Sequence, residues 1–133
     1  MSEAGGYILR IATKQWVNQV FDMAIYYTSI RRRWMAGQTI LFMHKTGLGD
    51  AIVGYGVIES VHEKDELSET ERQECEKGNW KRAIEFRYVK QFDGPLLVKQ
   101  TFLKGSKLRG RYFHGLRINY RQLDAVIAQA ENR

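Results

Sequence analysis

The stretch TILFMHKTGLGDAIVGYGVIESV, Thr39 to Val61, decides how this chain is read. Thr39–Met43 is apolar and β-prone, and His44–Asp50 contains Gly47, Gly49 and Asp50, residues suited to a tight connection. Ala51–Val61 follows with β-branched or aromatic side chains at Ile52, Val53, Tyr55, Val57, Ile58 and Val61. Gly54 and Gly56 interrupt this run two residues apart, so they share one face of a strand. Glycines inside a strand mark a bulge or a sharp coil where a sheet bends. The stretch therefore predicts a hairpin that forms the spine of a small curled sheet.

Towards the N-terminus, Tyr7–Thr13 predicts a first strand, and the adjacent Ile8 and Leu9 imply burial on both faces. Lys14 to about Thr28 predicts a helix capped by Thr13, with Trp16, Val20 and Met23/Ala24 on one face. The β-prone Tyr26, Tyr27 and Thr28 mark where that helix gives way. Arg31–Arg33 with Trp34 forms a basic segment, and Gly37-Gln38 turns the chain into the Thr39 strand. Beyond Val61 comes an acidic helical insertion at about 63–78, where Ser68 and Glu71 match a capping box. Its lack of an apolar stripe predicts a solvated helix. Trp80–Phe92 reads as a strand, Asp93-Gly94-Pro95 as a turn, and Leu96–Val98 as a short apolar piece. Gly105–Gly115 is a basic, glycine-punctuated loop. The closing helix starts at the Asn119/Gln122 capping box and carries a stripe of Leu123, Val126, Ile127 and Ala130.

With 133 residues, the chain is expected to form one domain, 1–133, large enough to bury its own core. No apolar run approaches the roughly 20 residues of a membrane span, and MSEAGGY lacks the regions of a signal peptide. The single cysteine, Cys75, makes neither an internal disulfide nor a metal framework. These features lead to the expectation of a cytoplasmic protein with no membrane association. The net charge of +6 is unevenly spread. Glu63–Lys77 holds seven acids and three bases, whereas Lys99–Arg121 holds seven bases and no acid. Such asymmetry favours a polyanionic partner.

The residues offer little for catalysis. His44, His62 and His114 stand far apart and form no metal-ligand spacing. No nucleophile elbow or P-loop is present, and the Gly47-x-Gly49 and Gly54-x-Gly56 pairs lack the third glycine of a dinucleotide fingerprint. No catalytic residue, metal or cofactor is assigned. Aromatic residues interleave with bases in two places: Tyr26-Tyr27 with Arg31-Arg32-Arg33-Trp34, and Arg109-Gly110-Arg111-Tyr112-Phe113-His114. Cations hold phosphates, and aromatic faces stack on bases that have left the helix stack. Trp16, Trp34 and Phe113 equally suit a core, and His44-Lys45 lies at a strand end within reach of phosphate or solvent.

The order of elements resembles the EVE-type branch of the PUA-like superfamily. The resemblance runs from the first strand and Trp16 through Trp34 and Gly37 to ILFMHK (Ile40–Lys45), IVGYGVIESV (Ile52–Val61) and the closing QLDAVIA (Gln122–Ala128). It implies an α+β fold: a PUA-like curled β-barrel of about five mostly antiparallel strands with flanking helices. It further implies a pocket for a nucleobase, often modified, in RNA or DNA. That pocket would lie between the Trp16 end of the first helix, the segment Arg31, Arg32, Arg33 and Trp34, and the strand end at His44 and Lys45. The loop carrying Arg109, Arg111, Tyr112 and His114 would lie over its opening. The function so implied is a non-catalytic nucleic-acid-binding domain. Two alternatives remain: an ASCH-type enzyme acting on RNA or a nucleotide, and a protein-interaction module using the acidic segment.

Overall fold

The computed structural model describes residues 4–108 and 110–132. Its elements run β1 (Ala4–Ile11), α1 (Lys14–Met23), β2 (Ile25–Thr28), β3 (Thr39–Thr46), β4 (Gly49–Glu63), α2 (Glu69–Gly78), β5 (Arg82–Leu97), β6 (Arg117–Asn119) and α3 (Tyr120–Glu131). Short 3-10 turns occupy Lys64–Glu66, Val98–Gln100, Phe102–Gly105 and Gly110–Phe113. The six strands form one sheet in the order β2-β5-β4-β3-β1-β6. Every pairing is antiparallel except that of β1 with β3.

The α+β class and the central hairpin are as read from the sequence; the barrel is not. The sheet is open. Its two edges are short, four residues in β2 and three in β6, and they pair only with β5 and β1 respectively. The physical reason lies in the connection from β1 to β2. Helix α1 runs between these two strands and packs on the sheet, so that β2 pairs with β5 at one edge while β1 stays between β3 and β6 at the other side.

The hairpin is tighter than its seven-residue glycine stretch implies. β3 runs on to Thr46 and β4 starts at Gly49, whose φ of +117° suits glycine. Thr46 Oγ1 donates to the Gly49 carbonyl at 2.7 Å and closes the turn. The predicted turn at Asp93-Gly94-Pro95 lies within β5. Ile52 pairs with Leu96 and Gly54 with Gln91, so the turn residues form a bulge instead of ending the strand. A matching irregularity lies between Phe42/Met43 and Ile52/Gly54, beside the strand glycines.

Both faces of the sheet are covered. Ile8, Leu41, Met43 and Ile52 pack beneath α3 through Leu123, Val126 and Ala130, with Leu103 and Phe113 alongside. Ile127 completes the predicted stripe but is only half-buried. On the other face Leu9, Ile40, Phe42, Ile58 and Ile84 pack beneath α1 through Val17 and Val20. The buried face of α1 is thus Val17/Val20 with Phe21 and Ala24 beside it, while Met23 is exposed and Trp16 lies on the flank. A smaller cluster of Tyr27, Leu67, Cys75 and Ala83 docks α2, so the acidic helix is seated on the domain by one side.

Gly54 makes the seat of α1 possible. A Cβ there would stand 2.6 Å from the Phe21 ring and 2.3 Å from the Lys90 carbonyl oxygen. Phe21 meets Phe42 edge-on, and Phe42 meets Phe86 in the same way, with centroids 5.6 and 5.3 Å apart. Gly54→Ala is expected to destabilise the domain by at least about 1–3 kcal/mol, as overpacking does. Gly47→Ala, where a Cβ would meet nothing within 4 Å, should change stability by less than about 0.5 kcal/mol. Leu123→Ala should cost about 2–5 kcal/mol. Urea midpoints of the three variants check the packing, and equal midpoints for the two glycine variants would contradict it.

Candidate nucleic-acid interface

An aromatic site lies between the end of β1 and edge strand β2, on the side of the sheet that α1 covers. Trp16 sits in the first turn of α1, where Thr13 Oγ1 accepts a hydrogen bond from its main-chain N–H. Its ring meets Trp80 edge-on with centroids 4.7 Å apart, and Trp80 stacks on Tyr27 at 6.0 Å with 15° between planes. Arg10, Gln19 and Tyr26 complete a cavity of about 140 Å³. That is the room of roughly five waters at about 30 Å³ each, enough for one flat ring system.

Each wall has a local cause. Trp80 is placed by the end of α2. Asn79 caps the helix in the left-handed region at φ +56°, and the Trp80 N–H returns to the Cys75 carbonyl at 2.8 Å. The indole lies across Gly78, where a Cβ would come within 2.2 Å of the ring. Tyr26 and Tyr27 come from β2, which is the sheet's edge, so one row of its main-chain groups has no strand beside it. Burial pushes both phenols up to about 12, and for Tyr27 the nearby Glu71, Cys75 and Glu74 add to it. Both hydroxyls therefore stay neutral near pH 7. On the β1 side, Arg10 donates from Nε and Nη2 to Asp50 Oδ1 at 3.2 and 3.0 Å, a half-buried ion pair.

The residues expected to form a site are dispersed. Trp16 lines the cavity. Trp34 stands apart, packed edge-on against Tyr7 at 5.1 Å over the α1-side core, with its buried Nε1 unpartnered among the described residues. His44 Nδ1 lies 2.8 Å from the Ile11 carbonyl and, as a donor, steadies the corner before Ala12, while Lys45 is exposed. Arg31, Arg32 and Arg33 are exposed, and Arg32 Nε donates to the Gly115 carbonyl at 2.9 Å, tying this segment to the far loop. Tyr112 is exposed. Arg109 lies outside the described residues, as does the side chain of Arg111. The Phe113 end of this loop lines a separate groove of about 230 Å³ with Leu48, Asp50, Lys99, Leu103 and Lys104.

The contributions of Arg10, Tyr26, Tyr27 and Trp80 were missing from the sequence-derived site. Tyr26-Tyr27 carried a signal, being aromatic neighbours of a basic run. Trp80 sits just beyond an acidic helix, and only the fold brings it to Trp16.

His114 joins the loop to β1. Its Nδ1 accepts from the Arg10 N–H at 3.0 Å, so that nitrogen carries no proton and the neutral ring bears its hydrogen on Nε2. Burial holds its pKa below the ordinary 6.5, and the Arg32 and Arg10 charges push the same way.

No family model and no curated protein matches this sequence. Solved structures do. A serine-to-alanine variant of the ASCH protein from Zymomonas mobilis superposes with a TM-score of 0.70 at 9% identity, over 98% of this chain and all of that one. The ASCH structure from the same organism gives 0.66 at 8% identity, covering 91% and 92%. A tyrosine-to-phenylalanine variant gives 0.65 at 9%, covering 91% and 95%. The chain thus has the PUA-like fold that ASCH domains share. Among the described residues no helix is long and apolar enough to cross a membrane, and no three His, Cys, Asp or Glu side chains are grouped to hold a metal ion.

Two outcomes follow from this geometry. A group whose folded pKa is depressed lends stability above its unfolded value and loses it as pH falls. Denaturant midpoints should therefore decline below about pH 6.5 more steeply in the native chain than in His114→Gln; parallel profiles would contradict the assigned bond. Trp34→Ala should cost roughly 3 kcal/mol, the low end for truncating a tryptophan, and should leave the Trp16–Trp80 contact intact in the fluorescence of the folded protein.

Proposed function

We propose that this protein is a cytoplasmic, non-catalytic nucleic-acid-binding domain that takes one unstacked base, in RNA foremost, between Trp16, Tyr26, Tyr27 and Trp80. The observation that carries the reading is the aromatic cavity beside the β2 edge, with neutral phenols, the Gln19 amide and Arg10 among its polar lining. Single-stranded RNA offers splayed bases, and proteins read them by stacking on aromatic faces and by hydrogen bonds to base edges. The unpaired edge of β2 adds main-chain donors and acceptors of the kind such edges use. The EVE-type resemblance carried by Ile40–Lys45 and Ile52–Val61 supports a base pocket, and the ASCH-like fold is consistent with an RNA ligand. The positive net charge supports a polyanion.

The test is fluorescence anisotropy with single-stranded RNA and DNA oligonucleotides, plain and base-modified, together with a gel check of the RNA after incubation. Stacking is worth about 1–3 kcal/mol per base, so Trp16→Ala should weaken RNA binding roughly 5- to 150-fold while the protein stays folded. Unchanged affinity in Trp16→Ala would move the base elsewhere. Tighter binding of DNA would overturn the choice of RNA, and cleaved RNA would make the ASCH-type enzyme the better reading.

A further inference from the structure

The acidic insertion carries a cationic groove on the domain's surface, and this is the second feature that calls for a ligand. An open groove of about 490 Å³ is lined by Arg31, Lys64, Arg72, Lys81 and Arg82, with Glu63 and Asp65 the only carboxylates among its lining residues. Two of these charges are already used. Arg82, its side chain 5% exposed, pairs with Glu63 at 3.0 Å, and Lys64 lies 3.8 Å from Glu76. The remaining cations, Arg31, Arg72 and Lys81, are exposed, and none is in an ion pair among the described residues; the Arg72 guanidinium donates to the Leu67 carbonyl at 3.1 Å. Three such charges face one carboxylate, Asp65. The surrounding segment Glu63–Lys77 has seven acids, yet only Glu63 and Asp65 of them line the groove. Here the acids do not neutralise the groove.

The groove is also rigidly joined to the aromatic cavity. The Arg82 guanidinium donates to the carbonyls of Ser29 and Ile30, at 2.8 and 2.9 Å, just before Arg31. Ser29 Oγ donates to the Asn79 carbonyl at 2.8 Å, just before Trp80. The Lys81 N–H reaches the Thr28 carbonyl at 3.2 Å, and the Lys64 N–H reaches the Lys81 carbonyl at 2.9 Å. Trp80, which walls the cavity, and Lys81, which lines the groove, are consecutive residues in this bonded frame.

We infer that the groove of Arg31, Arg72 and Lys81 holds the phosphates of the same single strand whose base enters the Trp16–Trp80 cavity, with the strand passing over the β2 edge. The inference rests on the base-binding reading above and adds the path of the backbone. It also assigns α2 a role that its acidic composition hides: the helix presents Arg72 to the strand and holds Trp80 in the cavity wall. The rival surface for the same phosphates is the groove lined by Lys99 and Lys104.

The experiment measures binding of a single-stranded RNA oligonucleotide across a salt series for the native chain, Trp16→Ala, the triple variant Arg31→Gln/Arg72→Gln/Lys81→Gln, and Lys99→Gln/Lys104→Gln. Each phosphate contact contributes about 0.7 to the slope of log K against log salt for a single strand, so the triple variant should flatten the slope by roughly 2. It should do so uniformly across sequences, whereas Trp16→Ala should lose affinity with its slope kept. Each groove residue is also changed singly, so that a fold defect in the triple variant still leaves three exposed, separately readable substitutions. A native slope in the groove variants, or a flattened slope only in Lys99→Gln/Lys104→Gln, overturns this inference and leaves the base pocket standing. A native chain that binds no RNA at any salt overturns both.

Discussion

The contact between the Phe21 ring and the bare backbone of Gly54 is what the rest of this architecture leans on. Without a side chain at that point of β4, α1 lies close on the sheet, and Phe21, Phe42 and Phe86 interlock edge to edge. The position of α1 in turn sets the distance between the end of β1 and β2, because the helix is the whole connection between them. A helix seated farther out would carry Trp16 away from Trp80. The placement of Trp16 thus leans on glycines of β4, two strands away from both β1 and β2 in the sheet, and Gly56, whose Cβ would stand 2.9 Å from Phe86, serves the same stack.

Charge is organised by pairing depth. The two arginines that the fold immobilises, Arg10 and Arg82, each have a carboxylate partner, Asp50 and Glu63. Both also lie where separate pieces of chain meet: Arg10 where β1, β4 and the His114 loop converge, and Arg82 where β5, β4 and the Ser29–Ile30 segment converge. Removing one partner of such a pair leaves a costly uncompensated charge, most of all at Arg82, whose side chain is 5% exposed. The exposed pairs, such as Lys77 with Glu74, are worth little by comparison.

Much of the fold was legible because its signals are local. The β-branched runs of β3 and β4, the caps at Thr13, Ser68 and Asn119, and the stripe of α3 each lie within a few neighbouring residues. What escaped is long-range. Periodicity says which side of a strand is buried but not which strand lies beside it, so the parallel β1–β3 pair and the three-residue β6 left no mark. Asp93-Gly94-Pro95 has turn chemistry, and bulges use the same residues, so the sequence alone could not separate the two. At the site, Trp16 was legible as an aromatic beside a helix start. Trp34 had the same credentials and stands apart from the cavity, half-buried with its ring edge-on against Tyr7, on a strand far from it in sequence. Trp80 is the reverse case: an unremarkable strand-start residue made a wall by a helix cap.

The way β1 is shared between its neighbours bears on how the chain comes to be folded. On one side Gly6–Ile11 pairs with β3; on the other Gly6 and Tyr7 pair with Ile118 and Arg117 of β6. The first strand is therefore completed by residues near the opposite end of the sequence. Contacts so distant along the chain carry a large loop-closure cost and slow the search for the native topology. During synthesis the β3–β4–β5 meander can assemble from consecutive segments, while β1 keeps an unpaired edge until residues 117–119 have emerged. The last pairing to form is also the one that brings α3 over Ile8 and Leu41, so half of the core stays open until then. The α1-side face is itself complete only once Ile84 and Phe86 of β5 are in place, and the face that α3 covers stays exposed for longer still, the kind of transient apolar surface that favours aggregation.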